Sequence, residues 1–185
     1  DTEGTGSSDS PFASIQAAIN FATTAGDSVT VAAGTYVENI NFRGRNIKLV
    51  GAIRETTIID GDNSGVVIRI ADLTGVSMLK NFTIQNGYTT QSNTVQNGGG
   101  VSISNASPAL KNLIVKNCTA FYGGGIFISN STSTLDSIKV FNNASQSHGG
   151  GVYLDYSNSV LTNVDCYSNS TISGGYAGGI FINNK

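Results

Sequence analysis

The sequence predicts an all-β fold, a parallel β-helix (solenoid) preceded by a short N-terminal capping α-helix. A glycine-rich phrase occurs four times in the second half of the chain, as GGGVSIS, GGGIFIS, GGGVYLD and GGIFIN. The apolar residues that follow these glycines lie 25, 26 and 28 residues apart, at Val101, Ile126, Val152 and Ile180. A repeat of this length, with strand-like triplets and no room for an amphipathic helix, is typical of one coil of a β-helix.

A second phrase repeats with a spacing similar to that of the first and predicts the core. It reads MLKNFTIQN, ALKNLIVKN, TLDSIKVFN and VLTNVDCYS. Strand side chains alternate between faces and strands of neighbouring coils stack about 4.8 Å apart, so like residues form inward columns. The three columns are Leu79, Leu110, Leu135 and Leu161; Phe82, Leu113, Ile138 and Val164; and Ile84, Val115, Val140 and Cys166.

The N-terminal part of the chain predicts a polar lead-in over residues 1–13 and a helix over residues 14–26. Ser14 is a suitable N-cap and Gly26 a suitable stop. Apolar side chains take the i, i+3, i+4 and i+7 positions, at Ile15, Ala18, Ile19 and Ala22. Because the first coil of a solenoid exposes unpaired backbone and an apolar end, we expect this helix to cover it.

The remaining sequence predicts about six to seven coils in a single β-helix domain over residues 1–185. Short apolar strands between glycine turns indicate irregular first coils over residues 27–97, and the repeats indicate regular coils over residues 98–185. The last repeat opens a coil that the sequence does not complete. We therefore expect a fragment of a longer protein, or one whose end is covered by a partner.

Composition excludes two classes of partner. Charged residues make up 12% of the 185 residues, with a net charge of -2, and no basic stripe interleaved with aromatic residues predicts nucleic-acid binding. No segment approaches the roughly 20 apolar residues of a membrane span. We expect neither nucleic acid nor a direct membrane span in this segment.

The two cysteines are predicted to stay unpaired. Cys166 falls in an inward column, whereas Cys118 falls at a turn two coils earlier. Two coils of rise separate them by about 9 to 10 Å, beyond the roughly 7 Å that a disulfide can span between Cα atoms. We expect Cys166 to be a small buried residue and Cys118 a turn residue.

Residues 11–61 resemble a known family. Four stretches are similar to the opening of the pectin lyase-like superfamily of right-handed parallel β-helices: SPFASIQAAINFA, GDSVTVAAGTYVENINF, NIKLVG and TTIIDG. Their order along the chain is similar to that at the start of pectin methylesterases. The glycine repeats with SNASPALKNLIVKN resemble bacterial surface β-helix proteins of the polymorphic outer-membrane protein type. The resemblance implies a right-handed coil and, for the enzymes of the superfamily, activity on the outer face of the helix.

The carboxylate inventory argues against an active site, and we predict no catalytic residue. Beyond Asp72 the carboxylates are Asp136, Asp155 and Asp165, and no arginine follows Arg69. The register pairs Asp136 with Lys111 and Asp165 with Lys139, one coil apart, so we expect two surface ion pairs. The paired aspartates, glutamines and tryptophan that the resemblance to methylesterases implies are not visible, and the chain contains no tryptophan.

Two further groups are interpreted as ordinary turns. The loop Asp60-Gly61-Asp62-Asn63 alternates oxygen ligands and could bind calcium, but it lacks the glutamate and the length of an EF-hand loop. His148 stands alone before the third glycine triplet and is expected at the surface. We predict no metal site and no cofactor.

The candidate binding residues are Phe127, Tyr153 and Phe181. Each lies between two inward apolar residues of the glycine phrase, so three consecutive coils should present an outward aromatic stripe at about 4.8 Å rise. Exposed rings bind sugar rings or a partner protein. The alternative is that the column only stabilises neighbouring strands. Phe141 and Tyr167 form a second outward column of the same kind.

These observations favour a non-catalytic extracellular or cell-surface β-helix, an adhesin or structural stalk that binds a polysaccharide or a surface protein through the aromatic stripe. The alternative is a polysaccharide-active enzyme of the pectate lyase, polygalacturonase or pectin esterase type, with its site in downstream coils. A third hypothesis is a filament subunit that associates end to end.

Overall fold

The chain forms a β-solenoid of about five turns with one short helix near its N-terminus. This computed structural model describes residues 4–89, 97–172 and 174–184, so residues 1–3 of the predicted lead-in lie outside the described residues. The predicted all-β fold and the helix are confirmed. Six strands stack from coil to coil in each of the two long sheets, which gives about five full turns from the first strand to the last and the lower end of the predicted six to seven coils. Strands 34–37 and 57–60 pair with each other beside the main path of the larger sheet.

Three parallel sheets form the walls of the solenoid. The eight-stranded sheet contains β1 (Ser28–Val31), β2 (Gly34–Val37), β4 (Lys48–Gly51), β5 (Thr57–Asp60), β7 (Met78–Gln85), β9 (Ala109–Lys116), β12 (Thr134–Phe141) and β15 (Val160–Tyr167). The three-stranded sheet contains β10 (Thr119–Tyr122), β13 (Ala144–His148) and β16 (Ser170–Thr171). The six-stranded sheet contains β3 (Ile40–Asn41), β6 (Ile68–Ala71), β8 (Val101–Ser104), β11 (Ile126–Ser129), β14 (Val152–Asp155) and β17 (Ile180–Asn183).

The inward columns of the eight-stranded sheet follow the predicted register. Leu79, Leu110, Leu135 and Leu161 pair from coil to coil, and so do the other two columns. The members on β7, β9 and β12 are at most 1% exposed, whereas those on β15 are partly exposed. The aliphatic ladders therefore form one continuous core along the axis.

A left-handed residue interrupts each long strand at the same place. Asn81, Asn112, Ser137 and Asn163 have φ between 50° and 63°, a region that asparagine tolerates better than most residues. This residue shifts the alternation, so that residues three apart, such as Leu110 and Leu113, both point inward. The outward positions on β9 then become Lys111, Ile114 and Lys116.

The glycine triplets are required by close packing between coils. A Cβ on Gly125 would lie 2.7 Å from the carbonyl oxygen of Gly151, and one on Gly124 would overlap the carbonyl oxygen of Ala144. Real Cβ atoms do not approach backbone this closely. The repeated phrase that predicts the fold thus marks the turn at which successive coils touch.

The capping helix α1 spans Ile15–Phe21 and is shorter than predicted. Ser14 caps it as expected, since its side chain accepts a hydrogen bond from the Ala17 N–H at 3.1 Å. The helix ends before Gly26 because Ala22 is already extended, and the Arg45 guanidinium donates to the free Ala22 carbonyl at 2.6 Å. Ile15 and Ile19 are buried and belong to the solenoid core, so the helix covers the first coil.

Both cysteines are free thiols, as predicted; Cys166 lies in the predicted column and Cys118 at the predicted turn, but Cys118 is the more deeply buried of the two. Cys118 is 1% exposed, and burial raises the pKa of its thiol to about 12. Cys166 is only half-buried; burial raises the pKa of its thiol too. Asn117 is left-handed, with φ 55°, and turns the next residue, Cys118, inward. Sequence register alone did not show this change of direction.

Candidate functional site

The aromatic column of the six-stranded sheet has the predicted register but not the predicted exposure. Phe127 stacks on Tyr153 with ring centroids 5.5 Å apart, and Tyr153 stacks on Phe181 at 5.2 Å. Phe127 is only 4% exposed and Tyr153 only 7%. The prediction that all three rings form an open stripe is therefore wrong, while their role in binding stays a prediction.

Rings from the three-stranded sheet lie against Tyr153 and Phe181 of this column. Tyr122 lies 5.1 Å from Tyr153, and His148 lies 4.8 Å from Phe181. Burial raises the pKa of Tyr153, with a smaller contribution from Asp155. His148 is half-buried among these rings and its Nδ1 lies 2.6 Å from the Ser147 hydroxyl, so it is not the open surface residue expected.

The outer face of the eight-stranded sheet carries most of the lysines. Five of the six lysines of the chain lie on this sheet, one or two to a coil: Lys48, Lys80, Lys111, Lys116 and Lys139. Sequence analysis missed this face, because its lysines are separated by as many as 32 residues along the chain. The available signal was the shared lysine of the phrases MLKN and ALKN.

Three outward columns run along the solenoid axis on this face. Their members are Lys80, Lys111, Asp136 and Thr162; Thr83, Ile114, Lys139 and Asp165; and Gln85, Lys116, Phe141 and Tyr167. We call this surface, from β7 to β15, the lysine face. Charged, amide and aromatic groups therefore lie within a few strand spacings of one another.

The predicted ion pairs have the right register but do not form. Asp136 pairs with Lys111 across the strands, and Lys139 with Asp165, yet neither pair makes a salt bridge among the described side chains. Asp136 instead accepts hydrogen bonds from the Ser137 hydroxyl at 3.0 Å and from the Asn163 amide at 3.4 Å. The lysines of these two pairs are thus not neutralised by the aspartates beside them.

Two aromatic rings form a flat platform at one end of the lysine face. Phe141 and Tyr167 stack with centroids 5.0 Å apart and an interplanar angle of 6°. Tyr167 is 49% exposed and Phe141 is partly exposed. This second aromatic column is open to solvent, unlike Phe127 and Tyr153.

A turn with an ion pair borders the other side of the lysine face. The Thr83 hydroxyl donates to the Arg54 carbonyl at 2.8 Å, which holds this turn over β7. Arg54 contacts Glu55 at 2.6 Å, and this hydrogen-bonded pair lowers the pKa of Glu55, to which Lys139 also contributes. The turn thus brings a guanidinium and a carboxylate to the edge of the face.

The Asp60 loop has the geometry of a hydrogen-bonded turn. Both carboxylate oxygens of Asp60 accept from the Asn86 amide, Oδ2 accepts from Gln85 at 2.7 Å, and Oδ1 accepts from the Asp62 N–H at 2.9 Å. Partial burial raises the pKa of Asp60, but these hydrogen bonds outweigh it and the net pKa is lowered. N–H donors therefore bind both carboxylate oxygens of Asp60. Among the described residues no cluster of three His, Cys, Asp or Glu side chains suits a metal.

A half-open cavity of about 1080 Å³ adjoins the lysine face near the N-terminus. The lead-in and α1 form one side of it, with Phe12 and Phe21, and the first strands form the other, with Val50 and Asn81.

The described part of the chain contains no helix with the length and apolarity that crossing a bilayer requires.

Comparison with known proteins gives matches in structure. No protein-family model matches the sequence, and no curated protein matches it significantly. A pectin methylesterase from Yersinia enterocolitica shares 16% identity, with a TM-score of 0.53, over 92% of this chain and 64% of its own. The methylesterases from Erwinia chrysanthemi and carrot share 15% and 12% identity, with TM-scores of 0.46 and 0.45, over 85% and 84% of this chain and 64% and 61% of theirs.

The prediction of a non-catalytic adhesin or stalk is corrected by this result. The solved structure that shares this fold with a TM-score of 0.53 is a pectin methylesterase, which is an enzyme, so the fold is not that of a dedicated adhesin or stalk. The chain spans about 64% of the length of the Yersinia enterocolitica enzyme. At 16% identity the likeness extends to the fold. The chain therefore has the pectin lyase-like, right-handed parallel β-helix fold.

Proposed function

We propose that the chain is a polysaccharide-active protein that binds its substrate on the lysine face. The observation that carries this proposal is the open, parallel stack of Phe141 and Tyr167 on that face. Flat exposed rings pack against the apolar faces of sugars, while neighbouring polar groups hydrogen-bond to the hydroxyls. The fold shared with a pectin methylesterase supports a substrate of the pectin class.

Polar groups suited to a sugar chain surround the platform. Lys116 precedes Phe141 in the same column, and Asp165 and Thr162 lie on the same strand as Tyr167. Asp136 and Asp165 are the carboxylates that β12 and β15 contribute to this face. They are the groups available there for acid-base chemistry of an esterase, hydrolase or lyase. An extracellular or cell-surface location belongs to the same proposal, because a cell-wall polysaccharide lies outside the cell.

A binding measurement tests the proposal. We expect Tyr167→Ala to weaken binding to pectin about two- to tenfold, the effect of losing roughly 0.5–1.5 kcal/mol of ring contact. Affinity electrophoresis or calorimetry would measure it, with circular dichroism to check the fold. Tyr156→Ala is the control, because Tyr156 is 55% exposed but follows the six-stranded sheet.

The outcomes separate the two aromatic columns. Unchanged binding of a folded Tyr167→Ala variant would overturn the proposal, whereas loss of binding in Phe181→Ser alone would return the site to the column predicted from sequence. Release of methanol, reducing ends or unsaturated ends from pectin reports turnover. Turnover that Asp136→Asn and Asp165→Asn both leave intact would place the chemistry away from the lysine face.

A further inference from the structure

We propose that Lys80 and Lys111 form an anion subsite on the lysine face, which takes a sugar bearing a carboxylate or a sulfate. This inference rests on the proposed function and adds the charge of the sugar that the face selects. It concerns a different column from the aromatic platform: Lys80 and Lys111 lie in the first column, and Phe141 and Tyr167 lie in the third.

The two lysines are direct neighbours across the sheet. Lys80 on β7 pairs with Lys111 on β9, so their strands lie about 4.8 Å apart and both side chains leave the same face. Like charges directly opposite each other on adjacent strands destabilise a sheet. A lysine pair at this position therefore costs stability unless an anion lies over it.

The protein itself does not supply that anion among the described residues. Val50 lies beside Lys80 on one side of the pair, and Asp136 lies beside Lys111 on the other. Asp136 forms no salt bridge with Lys111 and accepts from Ser137 and Asn163 instead. The pair is left with more positive charge than its neighbours neutralise.

The charge of the surrounding sheet also favours an anionic ligand at the lysine pair. The eight-stranded sheet carries five lysines against three aspartates, Asp60, Asp136 and Asp165, in a chain whose net charge is -2. The oxygens of Asp60 are already occupied by amide donors. An anionic polymer would meet attraction along this face in spite of the negative charge of the whole chain.

The backbone under the pair is held in place by amides. Asn112 donates to the Asn81 Oδ1 at 2.8 Å, and Asn81 donates to the Gly51 carbonyl at 3.2 Å. Each asparagine directly follows one of the two lysines. The lysine stems therefore start from fixed positions, while the ammonium groups can adjust to a carboxylate or sulfate as compact point charges.

The test compares a double variant with a matched control. We expect Lys80→Gln with Lys111→Gln to weaken binding to polygalacturonate by about tenfold, as for loss of a charge-assisted contact. Lys48→Gln removes the same charge from the same sheet, but Lys48 lies beside Met78 in another column, so binding should stay near wild type. Dextran sulfate as a second probe distinguishes a sulfate from a carboxylate ligand. Fully methyl-esterified polygalacturonate and neutral dextran should be insensitive to the double variant.

A single charge reversal separates the effect of a substitution on polymer binding from its effect on the stability of the fold. Lys80→Glu places a carboxylate opposite Lys111, so the thermal midpoint should hold or rise while polygalacturonate binding falls. Equal losses in the Lys48→Gln control, or equal affinity for esterified and free-acid polymer, would overturn the subsite and leave the aromatic platform standing. If Tyr167→Ala lost binding to the uncharged polymer and the lysine variants bound all polymers as wild type does, the subsite would likewise be overturned and the aromatic platform would stand. If no polymer binds the wild-type chain, the proposed function and the subsite both fail.

Discussion

Single residues decide which side chains face outward on this solenoid. Asn81, Asn112 and their equivalents in the later coils take left-handed backbone within the long strands, and each shifts the alternation of the residues after it. Without that shift Leu110 and Leu113 would point to opposite faces. Lys111 precedes the shift and faces outward by ordinary alternation beside Lys80, whereas Ile114 and Lys116 owe their outward positions to the shift.

Asp60 gives a prediction at this scale, because its hydrogen bonds tie stability to pH. The pKa of Asp60 is lowered from its ordinary value of 3.8, so the folded chain favours the ionised carboxylate. The stability from this preference is present above pH 3.8 and is lost as pH falls through the lower, folded pKa. We expect Asp60→Asn to be less stable than wild type at pH 6 and the difference to shrink by pH 3. Urea unfolding at both pH values would measure it.

Asp62→Asn is the control for this measurement. Asp62 lies in the same turn and accepts none of the hydrogen bonds given above for Asp60. The linkage is refuted if the Asp60→Asn difference stays constant between pH 6 and pH 3, or if Asp62→Asn shows the same pH dependence.

At the scale of elements, the turn between the three-stranded and six-stranded sheets packs closely against the next coil. The third glycine of the repeat lies against the next coil, and its neighbours are backbone and core side chains. The first glycine has a φ of 60° to 77° in the three complete triplets, where a side chain would be strained. The triplet therefore meets two separate steric requirements: the left-handed backbone of its first glycine and the close packing of its third glycine against the next coil.

Two glycines of the same column provide a matched prediction for this turn. A Cβ on Gly125 would meet the Gly151 oxygen at 2.7 Å and a Val140 methyl at 2.9 Å, whereas a Cβ on Gly179 would meet Cys166 Sγ at 3.9 Å. We expect Gly125→Ala to cost about 1–3 kcal/mol of unfolding free energy, the usual penalty of overpacking. Gly179→Ala should change it by less than about 1 kcal/mol. Chemical denaturation measures both, and equal effects would show that packing between coils is not the cause.

At the scale of the whole molecule, stability is built coil by coil. Each coil packs on its two neighbours, so the burial of a ladder residue depends on its position along the axis. In the leucine column Leu135 is 1% exposed, whereas Leu161 on β15 is partly exposed. The same substitution therefore has different consequences at the two sites.

This difference is measurable. Leu135→Ala should cost about 2–5 kcal/mol, as for a fully buried leucine. Leu161→Ala should cost clearly less, because less apolar surface is buried there. Unfolding in urea, followed by two probes to check that the transition is cooperative, would compare them. A larger loss for Leu161→Ala would contradict the coil-by-coil account.

The fold and the core were predictable from sequence because each depends on local pattern. Spacing between glycine phrases determined the solenoid, and the aligned columns of Leu135 and its equivalents determined which residues point inward. The first coils were less accessible, because strands 34–37 and 57–60 pair beside the main path of the sheet without any sequence signal for that pairing. Exposure was also less accessible, because Tyr122 and His148, which lie against Tyr153, come from another sheet.

The sequence by itself determined that the chain coils into a β-helix, which residues form its ladders, and that its cysteines stay apart. Tertiary structure decided which of two aromatic columns stays open, that Asp136 bonds to Ser137 and Asn163 and not to Lys111, and that five lysines share one sheet. The physical reason is the rise of about 4.8 Å between coils. It makes neighbours of residues that lie some 25 to 31 positions apart, and side chains from different sheets then compete for the same surface.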